Sequence, residues 1–422
     1  MPRTLDVKPL SAAPIHEPST PVVRPRFDSI DLLRGFIMVL MALDHTRDYF
    51  TNAKFDPLDL THTTTALFLT RWITHFCAPN FIFLAGVGAF LTRTRGKCVR
   101  DLSWFLFSRG LWLALLEVTW VRCGWEFNFD YHHVGVGVLW AIGWSMVILA
   151  GLVFLPVPLV AAIGVAIIAL HNLLDSIRPD AFGAWGILWG IAHVSRPFQL
   201  TPSFEFGVGY PIVPWVGVIA AGYGFGSIML WEPERRRRAM LWLGLSLVVL
   251  FVAVRGLNGY GNPTTEQLGR NLPNGQWSVQ KNALGTVFSF VDVHKYPPSL
   301  DYVLMTVGPA LVLLSVLERG RWLARLFRPL IAFGRVPLFY YLLHIPLIHG
   351  LAVLVAWARH GQADWLFVNP FGGPGPEPPA NAGFDLPGVY LIWGCVVILL
   401  YPACRWFAEF KRHRKDAWLS YL

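Results

Sequence analysis

The sequence predicts an all-α fold, a polytopic transmembrane helical bundle of about ten spans with cytoplasmic N- and C-termini. The first observation is composition: 54% of the 422 residues are hydrophobic and only 14% are charged. A soluble protein of this length needs more polar surface, so the apolar excess must face lipid. The other two observations are a series of long apolar runs and the clusters of basic residues that separate them.

The chain opens with a polar, proline-rich segment, residues 1–28, which we predict to be a flexible cytoplasmic tail. It contains no apolar h-region, so we expect no cleavable signal peptide and assign the insertion signal to the first span. Residues 29–409 are predicted to form a single transmembrane domain. Residues 410–422 are predicted to be a basic cytoplasmic tail.

Ten apolar runs are long enough to cross a hydrocarbon core of about 30 Å, which takes roughly 20 residues. They are 29–50, 66–91, 102–120, 133–154, 156–174, 211–230, 239–257, 300–317, 329–357 and 387–409. The stretch 182–193 is too short to span and is predicted to be interfacial or re-entrant. Run 329–357 contains Pro337 and Pro346, so a tilted helix and a broken helix both fit, and the second would give eleven spans.

Basic residues support ten spans and fix their orientation. With the N-terminus inside, the inner segments carry five clusters of four, which is 20 of the 35 lysines and arginines. These clusters lie within residues 3–26, 93–100, 235–238, 319–328 and 411–415. An eleventh span would move the last cluster outside, against the positive-inside rule. Because the positive charge is divided among short loops, the net charge of +9 does not indicate a nucleic-acid partner.

The long connections are predicted to lie outside the cell. Segments 175–210, 258–299 and 358–386 are rich in glycine, proline and asparagine, whereas the inner connections are mostly short and basic. Function carried by loops is therefore expected on the extracytoplasmic face.

The first span ends in a cluster of charged and imidazole side chains. Asp44, Arg47 and Asp48 are spaced three and four residues apart and share one helix face, and His45 borders it. An isolated charge at that depth is costly, so these groups must neutralise one another. They are predicted to form a proton-transfer or acceptor-binding centre; the structural alternative is a salt-bridge cap at the membrane interface.

His75 is predicted to lie near Asp44. At 1.5 Å per residue it is about 13 Å, and Asp44 about 9 Å, below the outer surface. The alternative is a core histidine bonded to a carbonyl. Pro79 frees a backbone carbonyl next to Asn80, which is compatible with polar backbone that lines a cavity.

His344 is predicted near the middle of the ninth span, between Pro337 and Pro346, where a titratable group is a functional candidate. Lys295 precedes the eighth span and is predicted to snorkel at a rigid helix start, with a phosphate or carboxylate contact as the alternative. The candidate site residues are catalytic Asp44, His45, His75 and His344, and substrate-binding Arg47, Asp48, Asn80, Lys295 and Arg335.

No metal site is expected. The five cysteines show no metal spacing, His132 and His133 have no third ligand within reach by sequence, and His349 lies on a different face from His344. Gly222, Gly224 and Gly226 fall inside an apolar helix and so do not form a phosphate loop. Together with Gly86 and Gly88, they are predicted to permit close helix packing.

Several segments together resemble bacterial members of the heparan-alpha-glucosaminide N-acetyltransferase (catalytic domain) family, within the transmembrane acyltransferase superfamily. The resemblance covers residues 26 to about 350. It is carried by RFDSIDLLRG at 26–35, LDH at 43–45, PNFIFLAG at 79–86, KYPPS at 295–299 and GRVPLFYYLLH at 334–344.

The resemblance implies an enzyme that takes acetyl-CoA from the cytoplasm and acetylates a terminal glucosamine across the membrane, with a His and a nearby Asn at its centre. Asp44 stands at the position that resembles the Asn, and His45, His62 or His75 corresponds to the His. Bacterial relatives are expected to act on cell-envelope sugars instead.

The leading hypothesis is therefore a multi-pass acyltransferase of the bacterial inner membrane, with acyl-CoA, a glycan or glycolipid acceptor and lipid as partners, and with oligomerisation left open. His45 or His75 would act as general base with Asp44 orienting the imidazole, and Arg47, His344 or Asn80 would polarise the thioester. Direct transfer and an acyl-histidine intermediate both remain open. The alternatives are a proton-coupled transporter, disfavoured by the lack of internal repeats, and a scaffold for envelope assembly.

Overall fold

The computed structural model describes residues 27–263, 275–319, 327–368, 375–414 and 416–422. The described chain is mostly helical, which confirms the predicted all-α polytopic class. Most of the predicted tail 1–28 lies outside the described residues, and the first helix begins at Asp28.

Fifteen α-helices follow one another along the described residues. They are α1 (Asp28–Phe50), α2 (Thr65–Ile73), α3 (Cys77–Thr94), α4 (Val99–Leu116), α5 (Arg122–Glu126), α6 (Val138–Leu152), α7 (Val157–Leu170), α8 (Gly186–His193), α9 (Ile212–Phe225), α10 (Pro233–Leu257), α11 (Ala283–Val291), α12 (Leu300–Leu317), α13 (Arg328–Arg335), α14 (Pro337–His360) and α15 (Leu386–His413). Three strands accompany them: β1 (His133–Val136), β2 (Pro197–Thr201) and β3 (Phe204–Val208).

Among the described residues, eight helical stretches are long and apolar enough to cross a membrane. Four of them are composite: the 3-10 turn Thr74–Phe76 joins α2 to α3, the π turn Glu117–Val121 joins α4 to α5, and the turns His171–Leu174 and Gly226–Leu230 extend α7 and α9. Two further predicted spans are also helical: α6 is apolar but has only 15 residues, and α1 has 23 residues with charges near both ends. Every predicted span therefore contains a helix.

Two predicted spans need correction. The run 133–154 begins with strand β1, and its helix starts only at Val138. The run 329–357 is broken at Val336, whose φ of −133° and ψ of 52° lie outside the helical region. Pro337 disfavours helical geometry at the residue before it. The piece before the break, α13, has eight residues and is too short to form an eleventh span.

The strands form a small sheet in the order β1-β3-β2. β3 pairs in parallel with β1, with Val134 opposite Phe206, and antiparallel with β2, with Phe198 opposite Phe206. The nearby segment 182–193, predicted to be too short to span, contains part of a 3-10 turn and the eight-residue α8.

Glycines permit the close helix packing that was predicted. A Cβ atom on Gly86 of α3 would lie 2.0 Å from the Ile219 carbonyl oxygen of α9, and one on Gly222 would lie 2.1 Å from the Phe83 carbonyl oxygen. The two backbones are therefore in direct contact. Gly88 differs, because its nearest neighbour is the Arg34 side chain at 3.2 Å.

Helix α1 lies among α3, α12, α13, α14 and α15 and packs most closely on α13. A Cβ atom on Gly35 would lie 1.8 Å from the Leu330 carbonyl oxygen, and one on Gly334 would lie 1.7 Å from the Asp31 carbonyl oxygen. This central position places the charged outer end of α1 inside the bundle.

Candidate active site

One face of α1 lines a cavity of about 620 Å³. The lining residues of this face are Arg34, Met38, Met41, His45 and Asp48, which alternate four and three residues apart and so form one stripe. The fourteen residue steps from Arg34 to Asp48 cover about 21 Å of helix. The cavity therefore runs along most of the membrane-embedded length of α1.

The end of the cavity near Arg34 is basic. Arg34, Arg109, Arg335 and Lys411 line it. An adjoining cavity of about 590 Å³ shares three of these residues and adds Arg95 and Arg412. Positive charge thus surrounds the predicted cytoplasmic mouth, and it includes Arg335, a predicted substrate-binding residue.

Asp31 offsets part of this charge, since its carboxylate lies 3.9 Å from the guanidinium of Arg34 and 3.8 Å from that of Arg335. The middle of the cavity is apolar. Met38 and Met41 of α1 face Phe81 of α3, Leu106 of α4 and Leu338 of α14 across it.

At the other end, two arginines hold the Asp44 carboxylate. Arg71 Nη1 donates to both carboxylate oxygens, at 3.1 and 3.0 Å, and Arg47 Nη2 donates to one of them at 3.0 Å. Arg71 also donates to the Thr74 hydroxyl at 3.0 Å. Sequence reasoning missed Arg71, although an arginine within the predicted second span is itself a signal of a functional site.

His45 lines the cavity beside this cluster and contacts Asp48. Its Nδ1 lies 3.4 Å from an Asp48 carboxylate oxygen, and Arg47 donates to the other Asp48 oxygen at 2.6 Å. The expectation that Asp44 orients the imidazole was wrong, because Asp48, one helical turn further along α1, is the carboxylate that His45 contacts. The ring of Trp125 packs edge-on against His45, with centroids 4.7 Å apart.

His344 lies behind His45 and is fully buried. The two ring centroids are 5.2 Å apart, and His344 Nδ1 donates to the Tyr341 carbonyl at 2.7 Å. Its Nε2 has no hydrogen-bond partner among the residues that the structure describes. His344 is therefore brought to the site as a second layer behind His45.

His75 and Asn80 face α12 instead of the cavity. His75 is 1% exposed, and its ring packs edge-on against Tyr302 with centroids 5.6 Å apart. The Tyr302 hydroxyl donates at 2.8 Å to the His75 carbonyl, four residues before Pro79, so a tyrosine satisfies the carbonyl that the proline frees. Asn80 donates to the carbonyls of Phe76 and Thr306 at 2.8 and 3.3 Å.

Lys295 and Tyr296 reach the outer end of the cavity from the segment before α12. The Lys295 ammonium lies 5.0 Å from the centre of the Tyr296 ring, and the Tyr296 hydroxyl lies 3.4 Å from that of Tyr210. Burial raises the pKa of Tyr296, but the positive charges of Lys295 and Arg71 outweigh it and leave that pKa below its usual value. Ser299 caps α12 by accepting from the Tyr302 amide at 3.1 Å, as a rigid helix start predicts.

A buried carboxylate that sequence reasoning missed also lines the cavity. Glu117, in the π turn between α4 and α5, accepts from the amides of Gly137 and Leu139 at 2.8 and 3.0 Å. These amides lie at the N-terminal end of α6, where unpaired N–H groups favour a negative charge. Glu117 thereby fixes the start of a short helix whose next turns line the cavity.

A sequence profile described as heparan-alpha-glucosaminide N-acetyltransferase, catalytic, matches residues 26–258, more than half of the chain. No curated protein matches it. The matched region contains the charged cluster of α1, Arg71 and Glu117. The matched region ends at residue 258, whereas the resemblance described above extends to about residue 350, so Lys295 and the 334–344 segment with His344 lie outside the match.

Proposed function

Because the chain belongs to the heparan-alpha-glucosaminide N-acetyltransferase catalytic family and is thus a membrane acyltransferase, we propose that it carries an acetyl group from cytoplasmic acetyl-CoA to an extracytoplasmic acceptor. The acceptor is an amine or hydroxyl of a cell-envelope sugar, and the membrane is the bacterial inner membrane. The single observation that carries the proposal is the cavity along α1, which joins a basic mouth to His45 and Asp44.

The basic mouth suits the donor. Coenzyme A carries several phosphate negative charges at one end and a thioester at the other. Arginine side chains bind phosphate through charge-assisted, often bidentate, hydrogen bonds. With the nucleotide held near Arg34 and Arg335, the pantetheine arm extends past Met38 and Met41, which brings the thioester toward His45.

His45 is the proposed general base. The imidazole nitrogen that does not face Asp48 takes the proton of the acceptor as the acceptor atom attacks the thioester carbon. The carbon–sulfur bond then breaks, and the departing thiolate receives that proton from the imidazolium. Asp48 fixes the ring orientation, and Arg47 stabilises the developing oxyanion while Asp44 holds Arg47 and Arg71 in place.

The outer end of the cavity suits a sugar acceptor. Asp56, Lys295 and Tyr296 line it with a carboxylate, an ammonium and a hydroxyl. Sugar hydroxyls and amines bind through such mixed donors and acceptors.

An assay on purified protein in nanodiscs tests the proposal. Radiolabelled acetyl-CoA is supplied with a panel of amino sugars and envelope glycans, and labelled product is separated from hydrolysed acetate. His45→Ala should reduce transfer at least about a hundredfold, within the range for a general base. The variants His62→Ala and His75→Ala are matched histidine controls, since His62 is exposed in the outer loop and His75 faces α12.

Acid quenching during turnover distinguishes the two chemical routes, because an acetyl-histidine intermediate retains label on the protein and direct transfer does not. Full transfer by His45→Ala would overturn the assigned base. Proton-coupled flux through liposomes in the absence of any acyl donor would favour the transporter alternative.

A further inference from the structure

Three buried side chains meet outside the cavity, where α7 and α8 end. His171 begins the turn after α7, Asp175 follows that turn, and His193 is the last residue of α8. One ligand atom from each lies within 4.8 Å of the others. His193 Nε2 is 2.9 Å from an Asp175 carboxylate oxygen.

The cluster is not exposed to solvent and is not fully hydrogen-bonded. His171, Asp175 and His193 are 2%, 5% and 1% exposed. Within the described part of the chain, neither ring nitrogen of His171 makes a hydrogen bond of ordinary geometry, although the ring faces the backbone of Pro298. A buried polar group without partners costs free energy, so an unmet donor or acceptor in such a place calls for an explanation.

We propose that His171, Asp175 and His193 bind a divalent transition-metal ion of the zinc class. Two imidazoles and one carboxylate are ligands that zinc prefers, and a fourth position remains for water. Ligand atoms around tetrahedral zinc at about 2.1 Å are about 3.4 Å apart. The ligand atoms lie within 4.8 Å of one another, so the proposed site requires side-chain rotation toward a shared centre when the metal binds.

Neighbouring groups orient these ligands as in established metal sites. Asn172 Nδ2 donates to the second Asp175 oxygen at 2.7 Å, which leaves the first oxygen to face His193. Hydrogen bonds of this kind fix the direction of a ligating carboxylate.

The site is also linked to the outer end of the cavity. Asn172 Oδ1 accepts from the amide of Leu300 at 2.9 Å, and Leu300 is the first residue of α12. The segment just before it carries Lys295 and Tyr296. A metal ion that ties the ends of α7 and α8 together would therefore hold this segment against the bundle.

A metal-binding measurement on the full-length protein tests the proposal without any turnover. The protein is purified with a tag that binds no metal, stripped with a chelator, and titrated with Zn²⁺ or Co²⁺. We expect about one zinc per chain by mass spectrometry and the visible absorption of tetrahedral cobalt. Zinc should also raise the midpoint of thermal unfolding, because a ligand that binds the folded state stabilises it.

His171→Ala and His193→Ala should each lower metal affinity at least about tenfold, since each removes one of three protein ligands. His132→Ala is the matched control, because His132 is an exposed histidine in an outer loop and should leave binding unchanged. Wild-type protein that binds no zinc and gives no cobalt spectrum would overturn the site. So would His171 and His193 variants that elute as folded protein and bind zinc with unchanged affinity.

Discussion

The Asp44 carboxylate depends on two arginines from different helices. Arg71 contacts both of its oxygens, whereas Arg47 contacts one and is shared with Asp48. Removing one partner of a buried ion pair costs about 3–5 kcal/mol, because the remaining charge stays desolvated. If Arg71 is removed, Arg47 still pairs with Asp44, so the substitution should change the geometry of the site more than the stability of the fold.

We therefore expect Arg71→Ala to insert and fold but to lose about a hundredfold in kcat, a loss of about 2.7 kcal/mol in transition-state stabilisation. Arg71→Lys should recover only part of it, since an ammonium cannot reproduce the planar fork of a guanidinium. Arg196→Ala is the control, because it removes a half-buried arginine of the predicted outer loop, paired with the exposed Asp180 at 3.0 Å and distant in sequence from the site, and should leave kcat unchanged. Wild-type kcat in Arg71→Ala would contradict the role of this pair.

Asp292 gives a pH prediction. It follows α11 and is 4% exposed. Burial, and to a lesser extent the nearby Asp56 carboxylate, raises the pKa of Asp292 from 3.8 to about 8. The positive charges of Arg255 and Arg71 oppose this rise but do not cancel it. The folded protein then holds a proton that the unfolded chain has lost. Stability should accordingly fall as pH rises from about 4 to about 8.

The variant Asp292→Asn removes this ionisation and keeps the shape of the side chain. We expect its midpoint of thermal unfolding to exceed that of the wild type by a few degrees at pH 8 and to match it near pH 4. Thermal unfolding in nanodiscs at several pH values measures both. A wild-type midpoint that rises between pH 4 and pH 8, with the variant parallel to it, would show that Asp292 is ionised in the folded protein.

At this scale, the sequence predicted which side chains share a helix face but not which neighbouring helix a side chain points toward. Helical spacing correctly put Asp44, Arg47 and Asp48 on one face and His45 beside them. It also put His75 in the span beside Asp44, but the height of a residue along a helix does not determine which neighbour its side chain faces. Packing against α12 decides that, and it turns His75 toward Tyr302.

At the scale of elements, the contact between α3 and α9 leaves no room for a side chain at its glycines. Gly222→Ala would place a methyl carbon 2.1 Å from the Phe83 carbonyl oxygen, a backbone atom that cannot move without shifting α3. We expect the variant to lose at least about 3 kcal/mol of stability, at the upper end of overpacking costs, or to fail to fold. Fluorescence-detected size exclusion after a heating series measures the loss.

Gly350→Ala is its control, since Gly350 also lies within a long helix, α14. Among the described residues, no atom lies within 4 Å of the position that its added methyl group would occupy. Alanine there should be neutral or slightly stabilising, by up to about 1 kcal/mol, through helix propensity. Equal melting of the two variants would contradict the backbone contact between α3 and α9.

The helices were predictable because twenty-residue apolar runs are a strong signal, whereas the exceptions depend on contacts between distant segments. Strand β1 has four residues and exists because β3, some seventy residues later, pairs with it. The start of α6 is fixed by Glu117 from another helix, so the run 133–154 alone does not reveal it. The break at Val336 was open from the sequence because Pro337 kinks some helices and ends others.

Across the whole molecule, one cavity unites charges that the chain distributes over distant segments. Arg34, Arg335 and Lys411 come from α1, α13 and α15 and meet at the predicted cytoplasmic mouth. Sequence analysis assigned the cluster that contains Lys411 to the inner side and left Arg34 and Arg335 within predicted spans, so it could not show that these three residues line one opening. That convergence depends on the close packing of α1 against α13.

The basic mouth predicts a donor-specific defect. Arg335→Gln should raise KM for acetyl-CoA about tenfold, because a charge-assisted contact contributes about 1.5–3 kcal/mol. The KM for acetyl-pantetheine should stay unchanged, because this donor lacks the nucleotide. Arg100→Gln is the control, since Arg100 is an exposed arginine on the same side that does not line either basic cavity. Steady-state kinetics with both donors measure the difference, and an equal rise for both would place the nucleotide elsewhere.

The same asymmetry predicts that transfer is vectorial. The basic residues that line the mouth, Arg34 among them, lie at one end of the cavity and the Asp44 network lies at the other, with about 15 Å of helix between Arg34 and Asp44. Inside-out membrane vesicles present the cytoplasmic face outward, so external acetyl-CoA should acetylate an impermeant amino sugar trapped in the lumen. Right-side-out vesicles given the same external donor should not acetylate an external acceptor until they are permeabilised. Transfer in intact right-side-out vesicles would contradict transfer across the membrane, since donor and acceptor would then both bind at the face that carries Lys295 and Tyr296.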